Sequence, residues 1–296
     1  MFKGSIVALA TPFTQDNEVD YNKLHELIEW HMDSSTDAIV LCGITGEAPT
    51  LSFEEQIKIF KEGVLAAKGR IPLIAGTGSY DTNYAIRLTE GAKKTGVDGA
   101  LIILPYYNRP TPEGCFQHFQ ELSKIGLPMI VYHHPGRIGY KLPAIALARI
   151  ASLPHVVAIK EASGDLDYTL ELMQQIETPV LSGDDSLTLP MMASGAVGVI
   201  SIIANIIPRE WKILTTLLLS DQLDEGREFF RRYYPLVKTM VLETNPQCVK
   251  YALGAMGKCS SKLRLPLVEP QESTKQQIIT ELVNAGLLLQ TTAARS

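Results

Sequence analysis

The chain has 296 residues, of which 46% are hydrophobic and 20% are charged, the composition of an ordinary globular protein. Its net charge of −5 shows no long block of one sign, so neither a nucleic-acid surface nor an anionic-membrane surface is expected. The four cysteines form no Cys-x-x-Cys pair, which predicts reduced, buried thiols. Since no signal peptide or bilayer-length apolar run is recognisable, we expect a cytoplasmic protein.

Eight short runs rich in Val and Ile predict buried β-strands, because they are continuously apolar rather than alternating. In chain order they are Ser5–Leu9, Ala38–Cys42, Ile71–Gly76, Gly99–Leu104, Pro128–His133, Val156–Lys160, Pro179–Gly183 and Val197–Ser201. Amphipathic segments of helix length lie between most of them. This pattern predicts an α/β fold, a parallel (β/α)8 TIM barrel in residues 1–221. An open doubly wound sheet is the alternative, which the lack of Gly-x-Gly-x-x-Gly after the first strand disfavours.

Two of the predicted helices begin with clear capping signals. Ser52–Lys68 opens with a Ser-x-x-Glu capping box, and Thr111–Ile125 has Thr111 at the N-cap followed by proline. Beyond residue 201 the pattern is purely helical, with predicted helices at Pro208–Leu219, Gln222–Val241, Asn245–Met256 and Ser273–Leu289. The first of these closes the barrel, and residues 222–296 are predicted to form a C-terminal helical region.

Polar residues follow the predicted strands at the points where the strands end. The segments CGITGE, PYYNRP, YHHPGR and SGDD follow strands two, four, five and seven, and Lys160 ends strand six. Since active sites of TIM barrels lie at the C-terminal ends of the strands, these groups are expected to meet at one mouth.

Lys160 is the candidate nucleophile. Apolar surroundings lower the pKa of a lysine and populate the neutral amine, which forms a Schiff base with a carbonyl carbon. The alternative is a strand-end lysine that extends into solvent. Tyr132 closes neighbouring strand five, and Tyr106 and Tyr107 follow strand four, so their hydroxyls are candidates for proton transfer unless they are plain rim aromatics.

Two further groups fit the binding of carboxylates. The Gly-Ile-Thr-Gly-Glu turn offers backbone N–H groups and the Thr45 hydroxyl, and the guanidinium of Arg137 can clamp a second carboxylate. A plain βα turn and a solvated loop arginine are the alternatives.

No metal site is predicted. His133 and His134 are neighbours on an extended chain, so their side chains point to opposite sides, and neither has a partner at ligand spacing. Asp184 and Asp185 are interpreted as caps and anchors of a loop rather than as an acid–base pair.

The motifs GITGE, PYYNRP, Y-x-x-P-x-R, IKEASG, SGDD and GVIS occur in this order at the predicted strand ends. Together they resemble the dihydrodipicolinate synthase and N-acetylneuraminate lyase superfamily of class I aldolases, and the resemblance covers nearly the whole chain. The segment PYYNRPTPEGCFQHF and the arginine after YHHPG resemble the dihydrodipicolinate synthase branch. The resemblance implies condensation of pyruvate with L-aspartate 4-semialdehyde to 4-hydroxytetrahydrodipicolinate, on the route to lysine and diaminopimelate, without metal or organic cofactor.

The resemblance also implies roles for individual residues. Lys160 forms the pyruvate imine, and Tyr132 donates and removes protons during imine formation and cyclisation. Thr45 and its backbone bind the carboxylate of pyruvate, and Arg137 binds the carboxylate of the semialdehyde.

A second set of residues matches positions at a subunit interface or near the substrates. Tyr107 corresponds to a relay tyrosine that reaches into the partner subunit's site, with Tyr106 packed at that interface. The relatives are often homotetramers made of two tight dimers. Gly183 and the carbonyl of Ile200 correspond to positions near the bound substrates.

Ile44 departs from the family pattern. The family usually reads Gly-Thr-Thr-Gly-Glu, and its first threonine bridges the two tyrosine hydroxyls, whereas an isoleucine neither donates nor accepts a proton. His133, which stands where asparagine is usual, could pack or supply the missing donor. The alternatives are therefore a pyruvate aldolase acting on a sugar acid or a hydroxyproline-derived compound, and a degenerate homologue of low activity.

A second departure concerns feedback regulation. Relatives inhibited by lysine line an interface pocket with polar side chains, notably His and Glu. The matching positions here are Ala48, Pro49, Phe53, Gln56, Tyr80 and Tyr84. Because an ammonium and a carboxylate would find few charged partners there, we expect weak or absent inhibition by lysine.

Overall fold

The computed structural model describes residues 2–289, in which eight parallel strands close into a barrel. The strands are β1 Gly4–Ala8, β2 Ala38–Leu41, β3 Leu73–Gly76, β4 Gly99–Ile103, β5 Met129–His133, β6 Val156–Glu161, β7 Val180–Ser182 and β8 Gly198–Ser201. Strand β1 pairs with both β2 and β8, which closes the sheet. This closure confirms the (β/α)8 prediction and excludes the open doubly wound sheet.

Twelve α-helices lie within residues 2–289. They are α1 Tyr21–Asp33, α2 Phe53–Ala67, α3 Thr82–Thr95, α4 Pro112–Ser123, α5 Pro135–Ile138, α6 Ala144–Ala151, α7 Leu166–Met173, α8 Thr188–Ala193, α9 Pro208–Leu219, α10 Leu223–Thr239, α11 Gln247–Ala255 and α12 Glu272–Asn284. None of these helices is long and apolar enough to cross a lipid bilayer.

The predicted helix starts are confirmed by their hydrogen bonds. The Ser52 hydroxyl accepts the Glu55 amide N–H at 3.1 Å, while the Glu55 carboxylate accepts the Ser52 amide N–H at 2.8 Å. Thr111 caps α4 through its hydroxyl, which accepts the amide N–H of Gly114. The sequence predicts that the last helix runs to Leu289. The helix ends at Asn284 instead, because the chain turns at Gly286, whose φ of +75° is left-handed.

The barrel has two apolar layers. Alternate strand residues, among them Ile74, Ile130 and Leu181, fill its interior, and the others pack outward against the helices. The outer layer also includes Leu253 of α11 and Ile278 of α12, so the C-terminal helices pack on the same core as the barrel. The predicted boundary at residue 221 falls between α9 and α10, and residues 290–296 lie outside the described part of the chain.

Candidate active site

A cavity of about 1230 Å³ opens at the C-terminal ends of the strands. Five of the seven residues predicted from the sequence to form the site line it, namely Thr45, Tyr132, Arg137, Lys160 and Gly183. The fold therefore brings together side chains that are far apart in the sequence, as expected for the mouth of a TIM barrel.

Lys160 faces the barrel interior near the end of β6 and is only 5% exposed. Burial lowers the pKa of its ammonium from 10.5 to about 8, because the charged form loses its hydration; Asp185 opposes this shift and Arg137 adds to it. A pKa near 8 leaves a useful fraction of the neutral, nucleophilic amine at neutral pH. The alternative interpretation, a strand-end lysine that extends into solvent, is therefore wrong.

Tyr132 lies directly beside this amine. It is the register partner of Lys160 across β5 and β6, and the Lys160 Nζ atom lies 4.1 Å from the centroid of its ring. Burial raises the pKa of the phenol, so the hydroxyl is protonated at neutral pH and is able to donate. The pair places a hydroxyl that is able to donate a proton on the strand next to a buried amine.

Gly183, just beyond β7, leaves room for the lysine side chain. A Cβ atom at this position would lie 3.0 Å from Cε of Lys160 and 2.6 Å from the Cβ of Ala162. Any larger residue would crowd the end of the Lys160 side chain, which explains the glycine at this strand end.

The turn after β2 carries Thr45, which is 2% exposed. Its hydroxyl accepts a hydrogen bond from the side-chain amide of Asn245 at 3.0 Å. On the opposite side, the backbone carbonyl of Asn245 accepts a 3.4 Å hydrogen bond from the Arg137 guanidinium. Asn245 thus links the two predicted carboxylate-binding residues.

Arg137 lies on the short helix α5, which follows β5 directly. Its side chain is exposed at the cavity rim, and apart from the bond to Asn245 it is available for a substrate carboxylate. A guanidinium binds a carboxylate through two parallel hydrogen bonds, which fixes the orientation of a ligand.

Two predicted residues do not line the cavity. Tyr107 is 89% exposed with a φ of +68°, and Tyr106 lines the cavity in its place, packed edge-to-face on Tyr80 with ring centroids 5.3 Å apart. Ile200 is buried in the barrel interior on β8, and the nearby Ile202 lines the cavity. The roles of Tyr107 and of the Ile200 carbonyl stay predictions.

Ile44 lines the cavity and packs against the apolar interior of the barrel, next to the cluster that contains Tyr132. Its side chain brings hydrocarbon to the mouth, where the family pattern has a hydroxyl. The expectation that this position relays no proton in this chain therefore has a structural basis.

The idea that His133 supplies the missing donor is wrong, because alternation along β5 points this side chain out of the barrel. His133 is fully buried, its Nδ1 atom lies 3.0 Å from the Glu161 carboxylate, and its Nε2 atom accepts the Leu142 amide N–H at 3.3 Å. Its neighbour His134 lines the cavity instead, with its ring centroid 5.8 Å from that of Tyr132. Burial, with Lys160 and Arg137 nearby, lowers the pKa of His134 to about 4, so its imidazole is neutral at pH 7.

Asp184 and Asp185 cap turns, as the sequence predicts. Asp184 accepts the amide N–H and the hydroxyl of Ser186, and Asp185 accepts the amide N–H groups of Ile202 and Ile203 at 2.8 and 2.9 Å. Burial raises the pKa of Asp185 to about 6.

Sequence reasoning missed His134 and Asn245 as lining residues. His134 belongs to the YHHP segment and could have been found from strand alternation, since it lies on the same side of β5 as Tyr132. Asn245 precedes α11 in the C-terminal region, and no strand-end pattern points to it. Within residues 2–289, no cluster of three or more His, Cys, Asp or Glu side chains is arranged to hold a metal ion.

Comparison with known proteins agrees with this geometry. A family model described as the dihydrodipicolinate synthetase family matches residues 1–285. The chain belongs to this family. It is 44% identical to the 4-hydroxy-tetrahydrodipicolinate synthase of Geotalea uraniireducens over 291 residues, which cover 97% of this chain and 100% of the relative. The family resemblance read from the sequence motifs is confirmed, and the chain is an enzyme of the lyase class.

Solved structures of the dihydrodipicolinate synthetase family show the same fold. The crystal structure of dihydrodipicolinate synthase from Aquifex aeolicus has a TM-score of 0.95 and 44% identity, covering 98% of this chain and 100% of that one. The chloride-inhibited enzyme from Acinetobacter baumannii, complexed with pyruvate, has a TM-score of 0.95 and 38% identity, covering 97% and 100% of the two chains.

Proposed function

We propose that this enzyme condenses pyruvate with L-aspartate 4-semialdehyde to 4-hydroxytetrahydrodipicolinate, through an imine between pyruvate and Lys160. The observation that carries the proposal is the buried Lys160 amine, with a pKa near 8, against the ring of Tyr132, whose burial keeps its hydroxyl protonated. The family membership and the pyruvate complex of the Acinetobacter relative support the same chemistry.

In the first half-reaction, neutral Lys160 attacks C2 of pyruvate. The carbinolamine oxygen takes a proton from Tyr132 and leaves as water, which gives the imine. The Tyr132 phenolate then removes a proton from C3, and the positively charged imine nitrogen accepts the electron pair, which gives an enamine. Thr45 and the N–H groups of its turn hold the pyruvate carboxylate during these steps.

In the second half-reaction, C3 of the enamine attacks the aldehyde carbon of the semialdehyde, whose oxygen takes the proton from Tyr132. The substrate amino group then attacks C2 and closes the ring. It passes one proton to the Lys160 nitrogen, which leaves as the neutral amine, and one to the Tyr132 phenolate, so the enzyme returns to its starting state. Arg137 binds the semialdehyde carboxylate at the rim and so orients the aldehyde toward the enamine.

The test of this assignment is a condensation assay with both substrates, applied to Arg137→Ala and to a matched arginine. Arg137→Ala is expected to raise the KM for the semialdehyde by about tenfold or more and to leave imine formation with pyruvate intact. The control is Arg149→Ala, since Arg149 pairs with Glu113 on the helix surface away from the cavity. No condensation by the unmodified enzyme would contradict the assignment.

The alternative second substrate, a sugar acid or hydroxyproline-derived compound, is disfavoured by the rim. A polyol chain needs side chains that hydrogen-bond to its hydroxyl groups, whereas the rim beside α5 presents the guanidinium of Arg137.

Ile44 favours a low turnover number rather than a different substrate, because it alters the proton-relay position and leaves the carboxylate-binding groups in place.

Inhibition by lysine is proposed to be weak or absent. Tyr80, Tyr84, Tyr106 and Gln56 line the cavity together with Asp81, whose carboxylate accepts the amide N–H of Asn83, and Tyr84 packs edge-to-face on Phe53. Aromatic rings, one amide and one carboxylate that already caps α3 offer few charged partners to the ammonium and carboxylate of an amino acid. Micromolar inhibition of initial rates in a lysine titration would contradict this proposal.

The enzyme is proposed to need no metal or organic cofactor, because the imine itself withdraws electrons from C3. Activity is expected to survive dialysis against a chelator.

The assembly is proposed to be a homotetramer of two tight dimers, in which Tyr107 enters the partner's site. The cytoplasmic location and the absence of nucleic-acid or membrane partners stay predictions.

A further inference from the structure

A buried ion pair between Glu47 and Lys250 anchors the turn that carries Thr45. Nζ of Lys250 on α11 donates to Oε1 of Glu47 at 2.9 Å, and both side chains are 0% exposed. Glu47 follows Thr45 by two residues, so the carboxylate anchors the turn itself. Lys250 comes from the C-terminal helical region, more than 200 residues away in sequence.

Two further hydrogen bonds, made by Lys250 and by Thr11, fix the position of the turn. The Lys250 ammonium also donates to the Thr11 carbonyl at 2.8 Å, and the Thr11 hydroxyl donates to the Gly46 carbonyl at 2.7 Å. The same ammonium lies 4.0 Å from the ring centroid of Phe13. One buried cation therefore ties the loop after β1 to the turn after β2.

The second oxygen of Glu47 is also occupied. Its Oε2 atom accepts the backbone N–H of Arg264 at 3.0 Å, in the loop between α11 and α12. The Arg264 guanidinium makes two hydrogen bonds to the Glu55 carboxylate at the start of α2. The Glu47 carboxylate is thus satisfied on both oxygens, and the element that follows the turn is held by the same C-terminal loop.

The backbone of the turn is in a conformation that needs such support. Glu47 has φ +56° and ψ +35°, in the left-handed region that glutamate rarely adopts. Such a residue persists where the surrounding structure over-determines it. At Glu47 this support comes from two hydrogen bonds that its carboxylate accepts, one from the Lys250 ammonium and one from the Arg264 backbone N–H.

A buried ion pair is a poor means of stabilising a fold, because the loss of hydration offsets the attraction between the charges. Its better-attested use is to specify one arrangement among several. We propose that Lys250 and Glu47 are positioning residues, which hold the Thr45 turn in its carboxylate-binding geometry and make the C-terminal helical region a required part of the pyruvate site. This inference rests on the proposed function, since it assigns the turn to the pyruvate carboxylate.

The test uses the double variant Glu47→Gln/Lys250→Met, which removes both charges and keeps the volumes similar. Glutamine retains an acceptor for the Arg264 N–H, and no unpaired charge is left buried. Glu47→Gln alone serves as a second variant, because Lys250 can lose its proton there. Lys212→Met is the matched control, since Lys212 pairs with Asp37 at the start of β2, at the other end of the barrel.

Two readouts separate positioning from a purely structural role. Amide hydrogen exchange of residues 43–47 is expected to accelerate in the double variant, while the melting temperature stays close to that of the unmodified enzyme. The kcat/KM for pyruvate is expected to fall by up to about 10²-fold, mainly through KM, as for misplacement of a binding group by about 1 Å. The pH midpoint of imine formation stays unchanged, because Lys160 keeps its surroundings.

The inference is overturned if the double variant shows unchanged hydrogen exchange in residues 43–47 and an unchanged KM for pyruvate. If the double variant does not fold, the same two measurements on Glu47→Gln decide. Failure of the proposed function is seen separately, because the unmodified enzyme would then form no pyruvate adduct. Hydrogen exchange does not need a substrate, so it still decides whether the ion pair positions the turn.

Discussion

Lys160 and Tyr132 are register partners on adjacent strands, and the Nζ atom of the lysine lies 4.1 Å from the centroid of the tyrosine ring. Parallel pairing of β5 and β6 fixes this separation, because both side chains point into the barrel at the same level. The proposed nucleophile and its proposed proton donor are therefore placed by paired strands rather than by a flexible loop, an arrangement that favours a fixed reaction geometry.

Imine formation is expected to follow the deprotonation of Lys160. With a pKa of about 8, about a tenth of the amine is neutral at pH 7, roughly 300 times the fraction at a pKa of 10.5. The initial rate of borohydride-trapped adduct formation with pyruvate should rise with pH and level off above about pH 9. A midpoint near 10.5 would show that the amine is not desolvated in the working enzyme.

Lys160 is also expected to lower the stability of the fold. Its pKa falls from 10.5 in the unfolded chain to about 8 in the folded one, so the unfolded state binds more protons between these values. The unfavourable contribution is complete below pH 8 and disappears as the pH rises toward 10.5. Lys160→Met should therefore raise the free energy of unfolding at pH 7 by roughly 1–3 kcal/mol, and by less at pH 9.5.

Urea unfolding at the two pH values measures this difference. Lys212→Met is the control, because Lys212 is partly exposed and paired with Asp37, and we expect no gain in stability from it. A gain for Lys160→Met that did not depend on pH would assign the effect to packing instead of charge.

Ile44 is expected to limit turnover. Ile44→Thr restores a hydroxyl at the position where the family has its relay threonine, and kcat should rise by about tenfold or more, within the range that one general acid–base group contributes. Ile44→Val is the matched variant, because valine has nearly the shape of threonine without the hydroxyl. An equal rise in both variants would assign the effect to space in the cavity.

Tyr107 is expected to act in the partner's site, because it does not line its own cavity and is 89% exposed. Tyr107→Phe and Lys160→Ala should each lose about 10²-fold or more in kcat as pure proteins. When the two variants are mixed and allowed to exchange subunits, activity should recover. In a mixed dimer, the site of the Tyr107→Phe subunit is complete, since it keeps its own Lys160 and receives an intact Tyr107 from the Lys160→Ala subunit. No recovery in verified mixed dimers would place Tyr107 in its own subunit's site.

The barrel could be predicted from the sequence because its strands are buried on both faces and therefore read as continuous apolar runs. The strand ends then located Lys160, Tyr132 and Thr45, since the fold brings these ends to one mouth. The sequence left two roles open for His133, because the roles of two adjacent histidines depend on which side of β5 each one faces. His134 faces the cavity with Tyr132, and His133 faces Glu161.

Asn245 and Lys250 could not be assigned from the sequence. They lie in the helical region after the barrel, and no local pattern shows that one binds the Thr45 hydroxyl and the other the Glu47 carboxylate. These contacts depend on the packing of α11 against the loops after β1 and β2, which is a property of the whole fold. The ends of helices are also predicted only approximately from the sequence. In α12 the positive φ of Gly286 ends the helix earlier than its apolar pattern indicates.

The most direct test of the proposed chemistry is to incubate the protein with pyruvate, reduce with borohydride and locate the adduct by peptide mass spectrometry. Lys160→Ala is run beside it. We predict one pyruvate-derived adduct on the peptide that contains Lys160 and none in the variant. An adduct on another lysine, or no adduct at all, would contradict imine catalysis at this site.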